Sequence, residues 1–327
     1  MRKGITNALV VVASASLSIV ACEIGLRLVY PHGALGSGVE LEFFRRDQGA
    51  RWMSSVMMPD ESIGFRPKLG VAGGYDEHGL LRRTPAEQSD VRRTILFLGD
   101  SVTARGRIVK AIEKDLRDPA TEFLNGGVES FNLAQEVDFF LRFQSALDVD
   151  RIIHQVHGND LRATPIVFRD ETGTLNAYLL DSSRQHVNQW LFRHSYLYRI
   201  GLAVFLSRTT GSDTFQEARD SFARMAAFAA ERAIEYDVVL FPILSGPDAL
   251  YRDDRRDWEI LERACRAVVR RCISLLPVLE RMLAEGRPVE ESPGDAWHPN
   301  DAFAAAAASV IIEASGLAAR PGPRVSE

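Results

Sequence analysis

Hydrophobic residues along the chain form short apolar runs that alternate with longer amphipathic stretches. The short runs lack a strict apolar–polar alternation, which is typical of strands buried on both faces of a sheet. The longer stretches place apolar residues on one helical face, as Val137, Phe140 and Leu141 do within Gln135–Leu147. The predicted strands are Ile95–Leu98, Glu122–Leu124, Arg151–Val156, Val238–Ile243 and Cys272–Leu275, and the other predicted helices are Arg107–Arg117, Asp213–Glu235, Arg255–Arg270 and Ala302–Ser315, the last with Asn300 or Asp301 as its N-cap.

This alternation of strands and helices predicts an α/β fold with a parallel sheet covered by helices on both faces. Five strands fit a flavodoxin-like, three-layer α/β/α arrangement. In such sheets the active site lies outside the carboxyl ends of the strands. Polar residues that directly follow a predicted strand are therefore the first candidates for chemistry.

The N-terminal segment has the pattern of an export signal. Arg2 and Lys3 precede an apolar run from Ala8 to Cys22. The uninterrupted run is shorter than the roughly 20 residues that a spanning helix prefers, but it can continue through Ile24–Tyr30. We therefore expect residues 1–30 to carry the protein to the membrane, with the remaining chain outside the cytoplasm.

Three fates of this segment are compatible with its residues. The preferred one is a signal anchor, in which Glu23 and Arg27 pair one helical turn apart near the membrane interface. The second is a lipoprotein signal, because Ile19–Cys22 is similar to a lipobox with Cys22 as the acylated residue. The third is simple cleavage near the small residues Ala13–Ala15.

The rest of the chain divides by composition. Residues 31–90 are polar and turn-rich and are predicted to form a linker and an irregular lead-in, followed by the main domain at 91–318 and a flexible tail at 319–327. The stretch near 161–210 is longer than a normal crossover and is predicted to be a helical insertion. Its apolar residues Trp190–Phe192 and Tyr196–Leu206 favour an amphipathic helix packed on the domain, the alternative being a cap that shapes acyl or membrane access to the active site.

Composition excludes several classes of function. The 327 residues, 46% of them hydrophobic, suffice for one large globular domain, and a net charge of −5 offers no basic stripe for nucleic acid. The sequence has no P-loop, no G-x-G-x-x-G after a strand and no cysteine-rich metal pattern. No cofactor, metal or nucleic-acid partner is expected, and the oligomeric state is left open.

Cys265 and Cys272 are the cysteines outside the N-terminal segment. In one continuous helix they would lie about 10 Å apart, which is too far for a disulfide. They can meet only if the chain turns from helix into strand near Arg270. Two separately buried thiols are the preferred interpretation.

Four short motifs carry the candidate chemistry, and three of them follow predicted strands. They supply a serine, a histidine, an aspartate and amide donors, which acyl transfer through a serine ester requires. The motifs are Thr94–Ser101, Asn125–Val128, Gly158–Asp160 and Asp295–His298.

The catalytic roles follow from the residue types. Ser101, at a strand-to-helix turn, is the candidate nucleophile, and His298 is the general base that takes its proton. Asp295, three residues earlier, can fix the tautomer of His298 and stabilise its charged form. Taken alone, each motif is more often an ordinary turn or a solvated loop.

The four motifs in this order resemble the SGNH/GDSL hydrolase family. The resemblance extends from Thr94 to Ser315 and includes Pro299-Asn300 and the alanine-rich helix after His298, and Asp60–Pro67 is similar to the lead-in of membrane-tethered bacterial members. It implies the SGNH-hydrolase fold and a serine ester hydrolase without a cofactor. It also implies an oxyanion hole formed by the backbone N–H of Ser101, the backbone N–H of Gly127 and the side-chain amide of Asn159.

Other polar residues near the motifs have structural interpretations. Asp100 and Asp160 adjoin candidate catalytic positions and are expected to support them. His154 and His157 lie three apart on a strand, so they point to opposite faces and cannot ligate one ion. We expect His154 in the core or an interface and His157 near the rim of the pocket.

The chain departs from the family pattern just after the nucleophile. Tethered members often have an aromatic residue and a glycine there, whereas this chain has Ala104–Arg107. Arg105 and Arg107 either favour an anionic substrate or are solvated helix residues.

The expected function is an extracytoplasmic serine esterase. Small acyl esters such as acetyl groups on carbohydrate are the favoured substrates, by analogy with tethered relatives associated with surface polysaccharides. The alternatives are an O-acyltransferase that modifies surface polysaccharide, a lipase or thioesterase, and a non-catalytic carbohydrate-binding module on the same fold.

Overall fold

The three-dimensional structure is a computed structural model that describes residues 2–29, 55–81, 93–161, 164–169, 175–178, 188–206, 214–244 and 252–318. The predicted tail at 319–327 and most of the predicted linker lie outside these residues. The chain forms two compact units. The first comprises Met1–Ser55, Pro59–Phe65 and Ala163–Ser212, and the second comprises Val56–Met58, Arg66–Arg162 and Asp213–Glu327.

Helices and strands alternate along most of the described chain. The helices are α1 (Arg2–Val29), α2 (Ser101–Arg105), α3 (Arg107–Leu116), α4 (Leu133–Phe139), α5 (Gln189–His194), α6 (Tyr196–Leu206), α7 (Thr214–Glu231), α8 (Arg252–Val268), α9 (Leu276–Ala284) and α10 (Asp301–Ser315). The strands are β1 (Met57–Asp60), β2 (Gly64–Pro67), β3 (Arg93–Leu98), β4 (Thr121–Asn125), β5 (Arg151–His157), β6 (Ile166–Arg169), β7 (Leu175–Tyr178), β8 (Glu235–Phe241) and β9 (Arg271–Ser274).

The second unit is built on a five-stranded sheet in the order β4-β3-β5-β8-β9. All four neighbouring pairs are parallel. Within the sheet this is the order second, first, third, fourth, fifth, so the predicted flavodoxin-like arrangement is confirmed. The five predicted strands all exist. Strand β9 lies one residue closer to the N-terminus than predicted, and β8 begins three residues and ends two residues earlier than predicted.

Both faces of the sheet are buried, which explains the continuous apolar runs in the sequence. On one face Ile95, Phe97 and Val239 belong to a core that includes α3, α9 and α10. On the other face Leu96 and Val238 belong to a core that includes α4, α7 and α8. Alternate residues of the same strand thus enter different layers.

The helices begin where local hydrogen bonding provides for their first N–H groups. Asn300 caps α10, because its side chain accepts from Phe303 N–H, which settles the choice between the two predicted N-caps. Asn132 and Gln135 form a reciprocal capping box at the start of α4. After α4 the chain continues into a π-helical turn at Phe140–Gln144, within the stretch predicted as one helix. Helix α9 was not predicted.

The preference for two separate thiols was wrong. Cys265 in α8 and Cys272 in β9 form a disulfide, with their Cα atoms 6.3 Å apart. Helix α8 ends at Val268 and β9 begins at Arg271, so the chain turns between the two cysteines and brings them together. Because disulfides persist mainly in oxidising compartments, the bridge is informative about location.

The first unit contains α1, α5, α6 and an antiparallel pair formed by β6 and β7. Helix α1 continues past Cys22, and its segment Val10–Val29 is long and apolar enough to cross a membrane, a test that an N-terminal signal sequence also passes. Glu23 and Arg27 pair at 3.0 Å, one turn apart, as predicted. Helix α6 packs beside α1, a contact that the sequence did not predict. The alternative of a cap over the active site stays a prediction.

Candidate active site

A tight turn at the carboxyl end of β3 presents Ser101. Gly99 has a φ of 149°, and a Cβ there would lie 2.5 Å from the backbone oxygen of Gln155, so only glycine fits. Asp100 then caps α2 by accepting a hydrogen bond from Val102 N–H at 2.9 Å. Ser101 is therefore the first residue of a helix at the sheet edge where such folds place their sites.

Ser101, His298 and Asp295 form a continuous hydrogen-bonded chain. Ser101 Oγ lies 3.0 Å from His298 Nε2. His298 Nδ1 lies 2.9 Å from each carboxylate oxygen of Asp295. The carboxylate accepts, so we assign the proton of the neutral imidazole to Nδ1, which leaves Nε2 to accept from the serine hydroxyl.

Asp295 is held in its charged form. One carboxylate oxygen accepts from the N–H groups of Trp297 and His298, each at 3.2 Å. Partial burial acts to raise the pKa of Asp295, but the hydrogen bond and charge of His298, with these two N–H groups, outweigh it and lower the pKa. An ionised aspartate is what orients and stabilises a histidine that accepts a proton.

Backbone hydrogen bonds fix the loop that carries Asp295 and His298. Glu291 N–H donates to the oxygen of His298 at 2.8 Å, and Leu244 N–H donates to the oxygen of Ala296 at 2.8 Å. The second bond ties the loop to the chain just beyond β8. His298 is thereby held at the same sheet edge as Ser101.

Two arginines bridge the nucleophile segment to this loop. Arg105 and Arg107 each bind a different oxygen of Glu291, both at 2.6 Å. The hydrogen bond from Arg107 is the largest cause of the lowered pKa of Glu291. Arg105 also lies 3.8 Å from Asp295. We call Glu291, Arg105 and Arg107 the carboxylate clamp. Sequence reasoning did not identify Glu291, since nothing local distinguishes it from an ordinary solvated acid.

An open cleft of about 530 Å³ adjoins the carboxylate clamp. Every side chain that lines it is charged: Arg105, Arg107, Lys110, Glu291 and Asp301.

Gly127 lies against the helix that begins at Ser101. A Cβ on Gly127 would lie 2.8 Å from Thr103 Cβ, so a side chain would push the two segments apart. Gly127 N–H donates to Asn125 Oδ1 at 3.0 Å, and Asn125 Nδ2 donates to the oxygen of Thr103 at 2.9 Å. The predicted oxyanion donor is near the nucleophile and engaged with Asn125, and its catalytic role stays a prediction.

Asp100 interacts with the other two predicted oxyanion donors. The backbone N–H of Ser101 and the side chain of Asn159 each act to lower the pKa of this buried carboxyl group. Burial raises the pKa of Asp100 although these two groups and the charge of His298 oppose the shift. Asn159 Oδ1 lies 2.8 Å from His157 Nδ1, which fixes the oxygen end of the amide. These contacts orient Asn159 and tie it to the nucleophile turn.

Two residues that sequence reasoning missed follow Gly127. Burial raises the pKa of Glu129 to about 7, with Arg105 opposing the shift and Asp100 adding to it. Ser130 adopts a φ of 63°, in the left-handed region that favours glycine. Neither feature has a signal in the sequence, because one depends on burial and the other on the path of the loop.

The two histidines of β5 lie on opposite faces, as predicted. His154 Nε2 lies 2.7 Å from Glu136 and its Nδ1 lies 2.9 Å from the hydroxyl of Tyr236. Burial lowers the pKa of His154 to about 3 and raises that of Glu136 well above its usual value, so they form a neutral core pair. His157 is 1% exposed, so its predicted rim position was wrong.

His157 is buried because aromatic rings pack on it. Its ring lies 5.2 Å from that of Trp297 and 5.7 Å from that of Phe241, measured between centroids. Its backbone N–H donates to Asp160 at 2.6 Å. His157 and Asp160 thus support the turn that carries Asn159.

Glu291, Asp295 and His298 also have the spacing of a metal-ligand set, with one ligand atom of each within 4.8 Å of the others. Both nitrogens of His298 are already engaged, Nε2 with Ser101 and Nδ1 with Asp295. The arrangement therefore fits proton transfer between serine, histidine and aspartate better than metal ligation.

No protein-family model matches the chain, and no curated protein sequence does. Several solved structures align with about two thirds of the chain. An acetyl xylan esterase, AlAXEase, has 13% identity and a TM-score of 0.45, covering 68% of this chain and 98% of that one. A lipase/acylhydrolase from Enterococcus faecalis has 12% identity and a TM-score of 0.41, covering 68% and 94%. A lipolytic protein of the G-D-S-L family from Veillonella parvula has 14% identity and a TM-score of 0.39, covering 68% and 97%.

Proposed function

We propose that this protein is an extracytoplasmic, membrane-attached serine esterase of SGNH type that hydrolyses small acyl esters through an acyl-serine intermediate. The observation that supports this most strongly is the chain of hydrogen bonds from Ser101 through His298 to Asp295. A serine hydroxyl is a weak nucleophile unless a base accepts its proton. The 3.0 Å distance between Ser101 Oγ and His298 Nε2 is within the reach that this transfer needs.

In the acylation step Ser101 Oγ attacks the ester carbonyl carbon while its proton passes to His298 Nε2. The carbonyl oxygen becomes an oxyanion, and Asp295 stabilises the imidazolium. Collapse of the tetrahedral intermediate breaks the bond to the alcohol oxygen. That oxygen takes the proton from His298 and leaves as the free alcohol, and the acyl group stays on Ser101.

In the deacylation step water replaces the alcohol. His298 Nε2 accepts a proton from water as its oxygen attacks the acyl carbon. The second tetrahedral intermediate releases Ser101 Oγ, which regains its proton from His298. The products are the carboxylic acid and the free enzyme.

The proposed oxyanion hole consists of the N–H groups of Ser101 and Gly127 and the side-chain amide of Asn159. Gly127 N–H has an internal acceptor in Asn125, and the other two donors interact with the buried Asp100. These contacts hold the donors in place before substrate binds, and a preorganised donor is worth about 10²–10³ in rate. An arriving oxyanion would share or replace the internal contacts.

The charged cleft supports a polar substrate. Its lining of three basic and two acidic side chains offers hydrogen bonds to hydroxyl groups. Neither Ser101 nor His298 lines this cleft, so it bears on the alcohol part of the substrate and favours a polar one such as carbohydrate. The preference for a small acyl group over a lipase or thioesterase substrate is an expectation from the sequence.

The proposed location rests on two features. The disulfide between Cys265 and Cys272 is of a kind that persists in oxidising compartments. Helix α1 carries Arg2 and Lys3 at its N-terminus and an exposed apolar segment from Val10 to Val29. A signal anchor with the second unit on the outer side of the membrane accounts for both, and lipidation at Cys22 or cleavage of the segment are the alternatives.

Hydrolysis of chromogenic esters from acetyl to long acyl chains, measured with the full chain in detergent, tests this function. The expected result is turnover of short esters that is lost in Ser101→Ala and kept in Ser309→Ala, an exposed serine on α10. Hydrolysis that survives in Ser101→Ala would contradict the proposal. Acyl transfer to an added sugar at the expense of hydrolysis would assign the same residues to an O-acyltransferase.

A further inference from the structure

The charged side chains Glu23 and Arg27 of the apolar helix α1 contact protein groups as well as solvent. Glu23 accepts hydrogen bonds from the N–H groups of Tyr196 and Leu197, at 2.9 and 3.0 Å, and from the hydroxyl of Ser195 at 3.0 Å. These groups form the N-terminus of α6. A carboxylate is favourable there because the first N–H groups of a helix lack intrahelical partners and carry partial positive charge.

Arg27 contacts the end of the neighbouring helix α5, and we call the contacts of Glu23 and Arg27 together the joint. Its guanidinium donates to the backbone oxygen of His194, the last residue of α5, at 2.7 Å. It also lies over the ring of Tyr196, 5.3 Å from the centroid. Glu23 thus binds the partly positive N-terminus of α6, and Arg27 binds the partly negative C-terminus of α5. We call α5, Ser195 and α6 the hairpin.

Helix α6 has little charge to keep it in water, and the other arginine of the hairpin is Arg193 in α5. Arg199 is the one ionisable cation within Tyr196–Leu206, and it is 5% exposed. Its guanidinium donates to the oxygen of Phe192 and lies 4.9 Å from the ring centroid of Tyr196. The charge is therefore satisfied inside the hairpin, and the rest of α6 has an apolar sequence.

The level of the joint along α1 matches a membrane–water interface. Between Lys3 and Glu23 lie the 19 residues Gly4–Cys22, which are about 28 Å long in a helix and close to the roughly 30 Å of a bilayer's hydrocarbon core, so Glu23 falls at the outer boundary when Lys3 lies at the inner one. Trp190 on α5 is 66% exposed and stacks on His194, 4.9 Å between centroids. Exposed tryptophans with a polar neighbour are typical of the headgroup region.

We propose that the hairpin is a second membrane-contacting element, which lies in the outer headgroup region of the bilayer beside α1 and is fastened there by Glu23 and Arg27. The occupant of its exposed surface is the lipid bilayer. The inference rests on the proposed membrane attachment through α1, since it needs the apolar segment of α1 to span lipid. Its consequence is that the protein holds the membrane by two elements, so loss of α1 alone does not remove all lipid contact.

Site-directed spin labelling of the full chain in phosphatidylcholine–phosphatidylglycerol vesicles tests the inference. Labels are placed by Trp190→Cys, by Val11→Cys in α1 and by Glu122→Cys on β4, each in a Cys22→Ser background. At residue 190 we expect oxygen to broaden the signal more than a water-soluble nickel chelate does. The label at 11 should be the deepest and the label at 122 fully aqueous.

The controls separate failure of this inference from failure of the proposed attachment. A label at 190 as aqueous as that at 122, with a deep label at 11, would overturn the hairpin's role and leave the anchor in place. An aqueous label at 11 would overturn the attachment itself. Shielding of residue 190 from both reagents would show that protein covers it, either a second copy or the chain itself, and would also overturn the inference.

A second measurement guards against perturbation by the labels. Brominated lipids should quench tryptophan fluorescence of the full chain in vesicles, and Trp190→Phe should lose most of that quenching, whereas Trp258→Phe should keep it. Glu23→Gln should reduce the Trp190 contribution, because a neutral amide binds the N-terminus of α6 more weakly. Equal quenching in the two tryptophan variants would contradict the inference.

Discussion

Arg105 and Glu291 form an ion pair of 2.6 Å that joins the helix of the candidate nucleophile to the loop of its base. The two residues are 186 positions apart in the chain. Glu291 N–H also donates to the backbone oxygen of His298, so the same residue holds the arginine with its side chain and the histidine segment with its backbone. The distance between Ser101 and His298 therefore depends on a contact outside the three candidate catalytic residues.

Replacement of the Glu291 carboxylate should slow ester hydrolysis. In Glu291→Gln the charged hydrogen bonds from Arg105 and Arg107 are lost, and a small displacement of a reacting group can cost about 10²-fold in rate. We expect kcat for a short ester to fall by about 10-fold or more with a smaller change in KM. The matched control is Glu285→Gln, an exposed partner of Arg287 away from the site, which should leave both constants unchanged. Equal effects of the two variants would contradict the role of the clamp.

Glu129 should make stability depend on pH near neutrality. Its folded pKa is raised to about 7 by burial, from an unfolded value of 4.5. Between these values the folded protein binds a proton that the unfolded chain has released, so the free energy of unfolding falls as pH rises through this window. Glu129→Gln should remove a loss of roughly 3 kcal/mol at pH 8 and change little at pH 4. Urea denaturation of the wild type and the variant at the two pH values measures this, with the exposed Glu122→Gln as the control. If the free energy of unfolding changes between pH 4 and pH 8 by the same amount in Glu129→Gln as in the wild type, the prediction is wrong.

The disulfide should contribute to the stability of the second unit. It closes a short loop between α8 and β9 over a sequence separation of 7. Constraint of the unfolded chain by a loop of this length is worth about 2 kcal/mol. Cys265→Ser with Cys272→Ser should lower the free energy of unfolding by this amount, and a reducing agent should destabilise the wild type and leave the variant unaffected. Insensitivity of the wild-type unfolding curve to reduction would count against the bridge.

Much of the fold could be predicted because strands that are buried on both faces of a sheet have continuous apolar runs in their sequence. Strands β3, β4 and β5 each end in a polar motif, and parallel strands bring their carboxyl ends to one edge. The neighbourhood of Ser101 and Asn159 was therefore accessible from the pattern alone. The pairing of Ser101 with His298, 197 residues away, needed the assumption that the motifs serve one reaction.

Other parts of the site depend on tertiary contacts that no local pattern encodes. The disulfide depends on the turn between Val268 and Arg271, and the clamp depends on where the loop of Glu291 lies. The hydrogen bond from Gly127 N–H to Asn125 requires the Asn125 side chain to fold back over the turn that follows it. The packing of α6 on α1 joins segments more than 160 residues apart in sequence, as the Arg27–His194 bond shows with its separation of 167.

The central claim is that Ser101 is a nucleophile activated by His298. The most direct test treats the full-length protein with a fluorophosphonate, which reacts with activated serines, and maps the adduct by mass spectrometry. We predict one adduct on Ser101 in the wild type, which His298→Ala abolishes or slows by several orders of magnitude. No adduct on Ser101, or equal labelling of Ser101 in His298→Ala, would contradict the account.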